Sequence, residues 1–182
     1  NPNAPQPKQE SPQQEKPWDA GRVENVRSTN PEKLDPLDAL ALAKHVLEEA
    51  KKHAVGDYAD VKDEATTSML FCIIAQESSF RRAAVSNTGA LGLGGILKGT
   101  ADDIKDRVMP KGFPGFDPPG LPDGKSAHDI NPATGKKYGE NAETNAALAA
   151  MYLIDRLRRA KSDGGPPRGL SVKQRGCELY NN

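Results

Sequence analysis

Apolar side chains first recur at helical spacing just after residue 34, where Leu37, Leu40, Ala41, Lys44, Val46 and Leu47 trace one face. Asp35 is placed to open this helix, with Pro36 in its first turn, and Gly56 stops it after about Val55. The pattern predicts a second helix from near Asp60 to about Glu77, with Asp60, Asp63 and Glu64 suiting its N-terminus. Its later part, Met69 to Ala75, is apolar nearly all round and predicts the central, buried helix. A loop over 81–95 follows, then a short helix from Thr100 to Val108, capped by Thr100 with Asp102 and Asp103 in its first turn. Residues 110–138 form a long connection studded with proline and glycine. A strong helix spans Ala142 to Lys161 and ends at Gly164-Gly165-Pro166-Pro167, and Ser171 caps a last helix reaching Tyr180. No repeat and no strand pattern is present, so the expected fold class is mostly α.

Residues 1–33 are rich in Pro, Gln, Asn, Glu and Lys and lack apolar periodicity. Such a segment cannot offset its ordering entropy, and it is expected to be a flexible arm. The remainder, 34–182, is expected to be one domain that buries its own core. Lys+Arg and Asp+Glu balance at 25 each, which leaves no electrostatic case for nucleic acid. No apolar run reaches the ~20 residues that cross a bilayer. No signal peptide is recognisable, and a start at Asn1-Pro2 suggests a processed form. Two cysteines, Cys72 and Cys177, exclude a dense disulfide framework and leave one disulfide or two free thiols open. His45, His53 and His128 lack metal-ligand spacing, so neither a metal nor a cofactor is expected. Arg156, Arg158, Arg159 and Lys161 read as a solvated basic helix end that complements the helix dipole.

The candidate chemistry lies at Gln76-Glu77-Ser78-Ser79-Phe80, where the apolar helix delivers a single carboxylate next to a glycine-rich loop, Gly89 to Gly95. A carboxylic acid at the mouth of a buried helix is partly desolvated, which disfavours its charged form. A Glu so placed can serve as a general acid near neutral pH, the requirement for cleaving a glycosidic bond. Phe80 can close over the carboxylate, and Ser78 and Ser79 can satisfy the frayed helix end. Gly89, Gly92, Gly94 and Gly95 let backbone approach a ligand closely. The Lys-Ser/Thr of a phosphate-binding loop is missing.

Three blocks in order resemble the soluble-type lytic transglycosylase domain, a relative of goose-type lysozyme. The first is Glu77-Ser78-Ser79-Phe80 with Ala83 to Leu93 and Ile96 to Ala101, against the family's E-S-x-F, A-x-S-x-x-G-A-x-G-L-M-Q and P-x-T-A. The second is Asn141 to Asn145 with Tyr152-Leu153, and the third is Tyr180-Asn181-Asn182. The resemblance implies a lysozyme-like, single-domain α fold and cleavage of the β-1,4 bond between N-acetylmuramic acid and N-acetylglucosamine in peptidoglycan. It implies that Glu77 is the acid/base, that Ser86 reaches the substrate, that Tyr180 bonds near the carboxylate, and that Asn145 starts the helix behind the site. The implied partner is the peptidoglycan glycan strand, met by a monomer in the periplasm or outside the cell.

Two departures bear on specificity. Gly94-Gly95 replaces the family's Met-Gln and is expected to widen the cleft, with Gly94 and Gly95 as substrate-facing backbone. Ala149 replaces a family glycine. A cleft suited to modified or de-N-acetylated glycan and simple drift are equally compatible with these changes. A hydrolysing muramidase needs a second carboxylate, for which Asp102 and Asp103 are candidates, although their position favours a helix-terminal role. Goose-type lysozymes carry an acid where this chain has Leu97, so one-carboxylate transglycosylase chemistry is preferred. The alternatives are a muramidase and a glycan-binding module without catalysis.

Overall fold

The structure is a computed structural model, and it describes residues 32–162. The arm before residue 32, the helix expected to end at Tyr180, Tyr180 itself and Cys177 lie outside the described residues. Within them the fold is mostly α, as expected, with isolated bridges and no strand.

Helix α1, Pro36–His53, starts as the sequence predicts. The Asp35 carboxylate accepts from the Leu37 amide at 2.8 Å, and Pro36 occupies the first turn. The buried stripe is Ala39, Leu42, Ala43, Val46, Leu47 and Ala50. The expected face is right at Val46 and Leu47 but out of phase before them: Leu37 and Leu40 are 75% and 40% exposed, and Ala41 and Lys44 also face solvent. Alanines on the true stripe let α1 pack closely on its neighbours, an advantage that ranking by side-chain hydrophobicity misses.

The second helix, α2, is Thr67–Ser78, shorter than predicted. Two short 3-10 turns, Gly56–Tyr58 and Lys62–Glu64, precede it and seat Tyr58 and the adjoining Val61 and Ala65 in the core. The cap is Thr66, whose hydroxyl accepts from the Met69 amide at 3.2 Å. The acidic residues at 60–64 do not open this helix. Two consecutive residues in the left-handed region, Ser79 (φ 50°) and Phe80 (φ 67°), end it directly after Glu77 and Ser78.

Helix α3, Lys98–Asp103, begins two residues before the expected Thr100 cap. It runs through a π turn, Ile104–Val108, into the short α4, Met109–Gly112. Pro110 supplies a reason for the widened turn: its ring crowds the carbonyl four residues earlier and removes a donor. The long connection to residue 138 is fastened rather than loose. Phe113, Phe116, Leu121 and Ala127 are buried, and the Gly139 amide donates to the Ala127 carbonyl at 2.8 Å.

Helix α5, Ala142–Ser162, is the central helix, a place the sequence assigned to α2. Every residue from Ala142 to Met151 is buried, and α1 packs against both α2 and α5. Asn141 caps it through the Thr144 amide at 3.0 Å.

A buried ion network ties α5 to the π turn. Asp155 is fully buried and takes a two-pronged interaction from Arg107, at 3.0 and 2.8 Å. Arg158 and Arg159 also reach it, at 3.2 and 2.7 Å. Asp103 joins through Arg107 at 2.6 Å and Arg159 at 2.8 Å. The Arg158 guanidinium stacks 4.9 Å from the Tyr58 ring centre. Arg158 and Arg159 are thus structural partners of buried acid, not the solvated basic end expected. Burial pushes the Asp155 carboxyl up, but hydrogen bonds from Arg107 and Tyr58 and the nearby arginine charges outweigh it and hold the group below the usual carboxylate range.

Asp155→Asn should cost about 3 kcal/mol at neutral pH, because it leaves guanidinium charge without its buried counterion. The pH dependence has a definite sign. A carboxyl held low when folded stabilises fully above its unfolded value, about pH 4, and loses that contribution as pH falls through the folded value. Urea unfolding of wild type and Asp155→Asn at pH 7 and pH 3 should therefore show a gap that narrows in acid.

Candidate active site

Glu77 lies on the last turn of α2 and lines a groove of about 310 Å³. One wall is Ile73 and Glu77 from α2. A second is the Gly94–Leu97 segment with Thr100 from α3. The third comes from α5: Ala149, Tyr152, Leu153 and Arg156. These four positions follow the i, i+3, i+4, i+7 spacing of one helix face. The side chain of Glu77 is exposed, so the protein alone does not supply the burial expected from the sequence. The reason is that its shielding partners were taken to be sequence neighbours. Phe80 is itself buried, 5.4 Å from the Phe71 ring.

The glycine-rich loop is shaped by what it touches. A side chain at Gly95 (φ 59°) would place its first carbon 2.7 Å from Glu77 Oε2 and 2.9 Å from Glu77 Cβ. At Gly92 (φ 69°) it would overlap the Asn145 amide and the Gly139 carbonyl. At Gly94 it would stand 2.6 Å from the Ala149 methyl. The two departures from the family pattern, at 94 and 149, therefore face each other. Gly94-Gly95 does not simply open the cleft: the loop backbone comes in against α2 and α5, where side chains would not fit.

Asn145 is the clamp of this loop. It is fully buried, and its Oδ1 accepts from the Gly94 amide at 2.7 Å. Its Nδ2 donates to the Leu91 and Gly139 carbonyls at 2.8 and 2.9 Å. Its polar atoms are thus engaged with backbone. Two bridges, Val85 with Leu91 and Leu91 with Ile96, fold the loop into three short antiparallel runs. His128 Nε2 pairs with the Ile96 carbonyl at 2.9 Å and fastens the last run to the long connection.

The other candidate residues lie elsewhere. Ser86 sits on an exposed turn, pairs with Thr88 at 2.9 Å, accepts from the Ala90 amide, and does not line the Glu77 groove. Asp102 pairs with Lys98 at 2.6 Å and accepts from Ser126 at 3.0 Å. The Lys98 hydrogen bond, then that of Ser126, holds its carboxyl below the usual range. Asp103 is held low by Arg107 and belongs to the buried network. Neither caps a helix start, because α3 begins earlier than expected, and neither lines the groove. Cys72 is disulfide-bonded, which removes the free-thiol reading. Tyr180 lies outside the described residues. Thr100, Tyr152 and Arg156 are groove residues to which sequence reasoning gave no part in the site. The helical spacing from Ala149 was the available signal.

The family model of the transglycosylase SLT domain matches residues 55–120, a stretch that holds α2, Glu77, the glycine-rich loop and α3 through α4. That stretch is similar to the SLT domain, and the match stops before α5 with Asn145 and Arg156. No curated protein and no solved structure matches the chain. The SLT domain carries a lytic-transglycosylase-type role on peptidoglycan, a polymer that lies outside the cytoplasm. Among the described residues no helix is long and apolar enough to cross a membrane.

The contact between residues 94 and 149 makes a paired test. Gly94→Ala should destabilise by about 1–3 kcal/mol through overpacking. Adding Ala149→Gly should recover part of that loss, a coupling read directly from a double-mutant cycle in urea. Additive losses would show that the loop does not rest on α5 as described.

Proposed function

We propose that the protein is a lytic transglycosylase that cleaves the β-1,4 bond between N-acetylmuramic acid and N-acetylglucosamine with Glu77 as its single acid/base. The observation that carries this reading is the location of Glu77 in the groove between α2, the glycine-rich loop and α5, with loop backbone packed against its carboxylate. The groove mixes apolar faces, such as Ile73, Leu97 and Leu153, with the polar groups of Thr100, Tyr152 and Arg156. That mixture suits sugar rings, which have apolar faces and hydroxyl edges.

The exposure of Glu77 then has a role in the cycle. A sugar entering the groove displaces water from the carboxyl, and such desolvation favours the protonated acid that the reaction needs. Protonated Glu77 gives its proton to the glycosidic oxygen, and the bond to C1 of the muramic sugar breaks. The resulting carboxylate takes the proton of that sugar's 6-hydroxyl, whose oxygen closes on C1. The products are a 1,6-anhydro end and a free N-acetylglucosamine hydroxyl, with Glu77 protonated again. No second carboxylate is needed. Asp102 and Asp103, engaged with Lys98 and with Arg107 and Arg159, support this one-carboxylate route.

Digesting purified sacculi and weighing the products tests the reading. Anhydro ends, one water lighter than reducing ends, are expected. Glu77→Gln should lower the rate by about 10²–10⁴-fold while retaining binding to sacculi. Reducing ends would instead identify a muramidase. Binding without products, equal for wild type and Glu77→Gln, would identify a glycan-binding module. Cutting native and de-N-acetylated sacculi equally would remove any preference for modified glycan.

A further inference from the structure

A second cavity, about 630 Å³ against about 310 Å³ for the Glu77 groove, opens between the 81–85 segment and the turn over 131–141. Its charged lining is Arg81, Arg82, Lys136 and Lys137 against Glu32 and Glu140. The Glu140 carboxylate already accepts from the Lys137 amide at 3.0 Å. Arg81 and Lys136 are exposed, and among the described residues neither forms a salt bridge. They differ in this from Arg107, Arg158 and Arg159, which are all tied to buried acid. Ala83, Ala84, Val85 and Tyr138 add an apolar wall, and Val85 is 65% exposed.

The backbone is built to present these cations. Left-handed Ser79 and Phe80 turn the chain sharply after α2, at a conformational cost for residues that are not glycine. Hydrogen bonds from Leu34 to the Phe80 carbonyl and from Arg82 to the Glu32 carbonyl, both 2.9 Å, hold the turn. Arg81 Nε donates to the Ser78 carbonyl at 3.3 Å, which fixes the base of its guanidinium.

The two cavities flank opposite sides of one small ladder. Residues 83–85 line the cationic groove, residues 94–97 line the Glu77 groove, and the Val85–Leu91 and Leu91–Ile96 bridges join them. Two strand spacings separate the outer runs by roughly 10 Å. Three extended residues of a peptide span that distance, at about 3.3–3.6 Å each. Peptidoglycan sugars carry short peptides with carboxylates and small apolar side chains, which match both the exposed charges of Arg81 and Lys136 and the apolar wall. A phosphate polymer would match the cations alone.

We infer that this cationic groove binds the carboxylate-bearing peptide branch of a glycan strand whose sugars occupy the Glu77 groove. The inference rests on the peptidoglycan reading above, and its test uses binding, so that it fails separately from cleavage. Calorimetric titration would compare a disaccharide-tetrapeptide with the same disaccharide lacking the peptide. The peptide should tighten binding about tenfold, the scale of two exposed ion pairs. That gain should shrink in about 0.5 M salt, where exposed charges are screened. It should vanish in Arg81→Glu/Lys136→Glu and fall in Lys136→Ala, a change on an exposed turn that keeps the test intact if the double variant does not fold. Equal affinity with and without the peptide, a gain untouched in the variants, or no binding of either probe would overturn the inference. Tighter, variant-sensitive binding of poly(glycerol phosphate) would overturn it too, by assigning the groove to a phosphate polymer.

Discussion

The site depends on one buried amide. Asn145, within the central helix, spends its side chain on three backbone groups: the Gly94 amide and the Leu91 and Gly139 carbonyls. A buried amide is costly unless its donors and acceptors are met, so the surrounding backbone must adopt one path. That path brings glycine backbone against Glu77 on one side and Ala149 on the other. The groove is thus a product of close packing, in which missing side chains at 92, 94 and 95 are requirements of the geometry. The clamp also joins segments far apart in the chain, tying the loop to the face of α5.

A second constraint supports the first from the other end of α5. The Arg107, Arg159 and Asp103 groups around Asp155 lock α5 to the π turn, and through it to α3, whose first residues follow the groove segment. Helix α5 is therefore held by a hydrogen-bonded clamp near its start and an ionic one nearer its end. Between them lie Ala149, Tyr152, Leu153 and Arg156, the groove wall. An exposed carboxylate on a rigid wall suits a reaction in which the bound sugar itself provides the desolvation.

Local signals were legible where they acted alone. Asp35 with Pro36 marked the start of α1, and the span of α5 was readable from Ala142 onward. The start of α2 was misread because acidic residues at 60–64 imitate a helix N-terminus, while Thr66 does the capping. The first half of the α1 stripe was misphased because burial follows where α2 and α5 approach, and small alanines permit that approach where Leu37 and Leu40 do not. Glu77 and the glycine loop were visible as a pattern. Their surroundings were not, since Ala149 and Arg156 reach them only through the tertiary fold. The same holds for Asp155, whose Arg107 partner sits on another element. The Asn145 clamp was foreshadowed by family resemblance as a residue behind the site, but its backbone partners come only from the packing of the loop on α5.

The central claim is that residue 77 faces a sugar held in the groove beneath the glycine loop. A crystal structure of the Glu77→Gln protein with a peptidoglycan tetrasaccharide addresses it directly. The account predicts the residue 77 amide within hydrogen-bond reach of a bridging glycosidic oxygen, about 2.6–3.2 Å, with sugar rings against Tyr152 and Leu97. A tetrasaccharide bound elsewhere, with residue 77 facing only solvent, would contradict it.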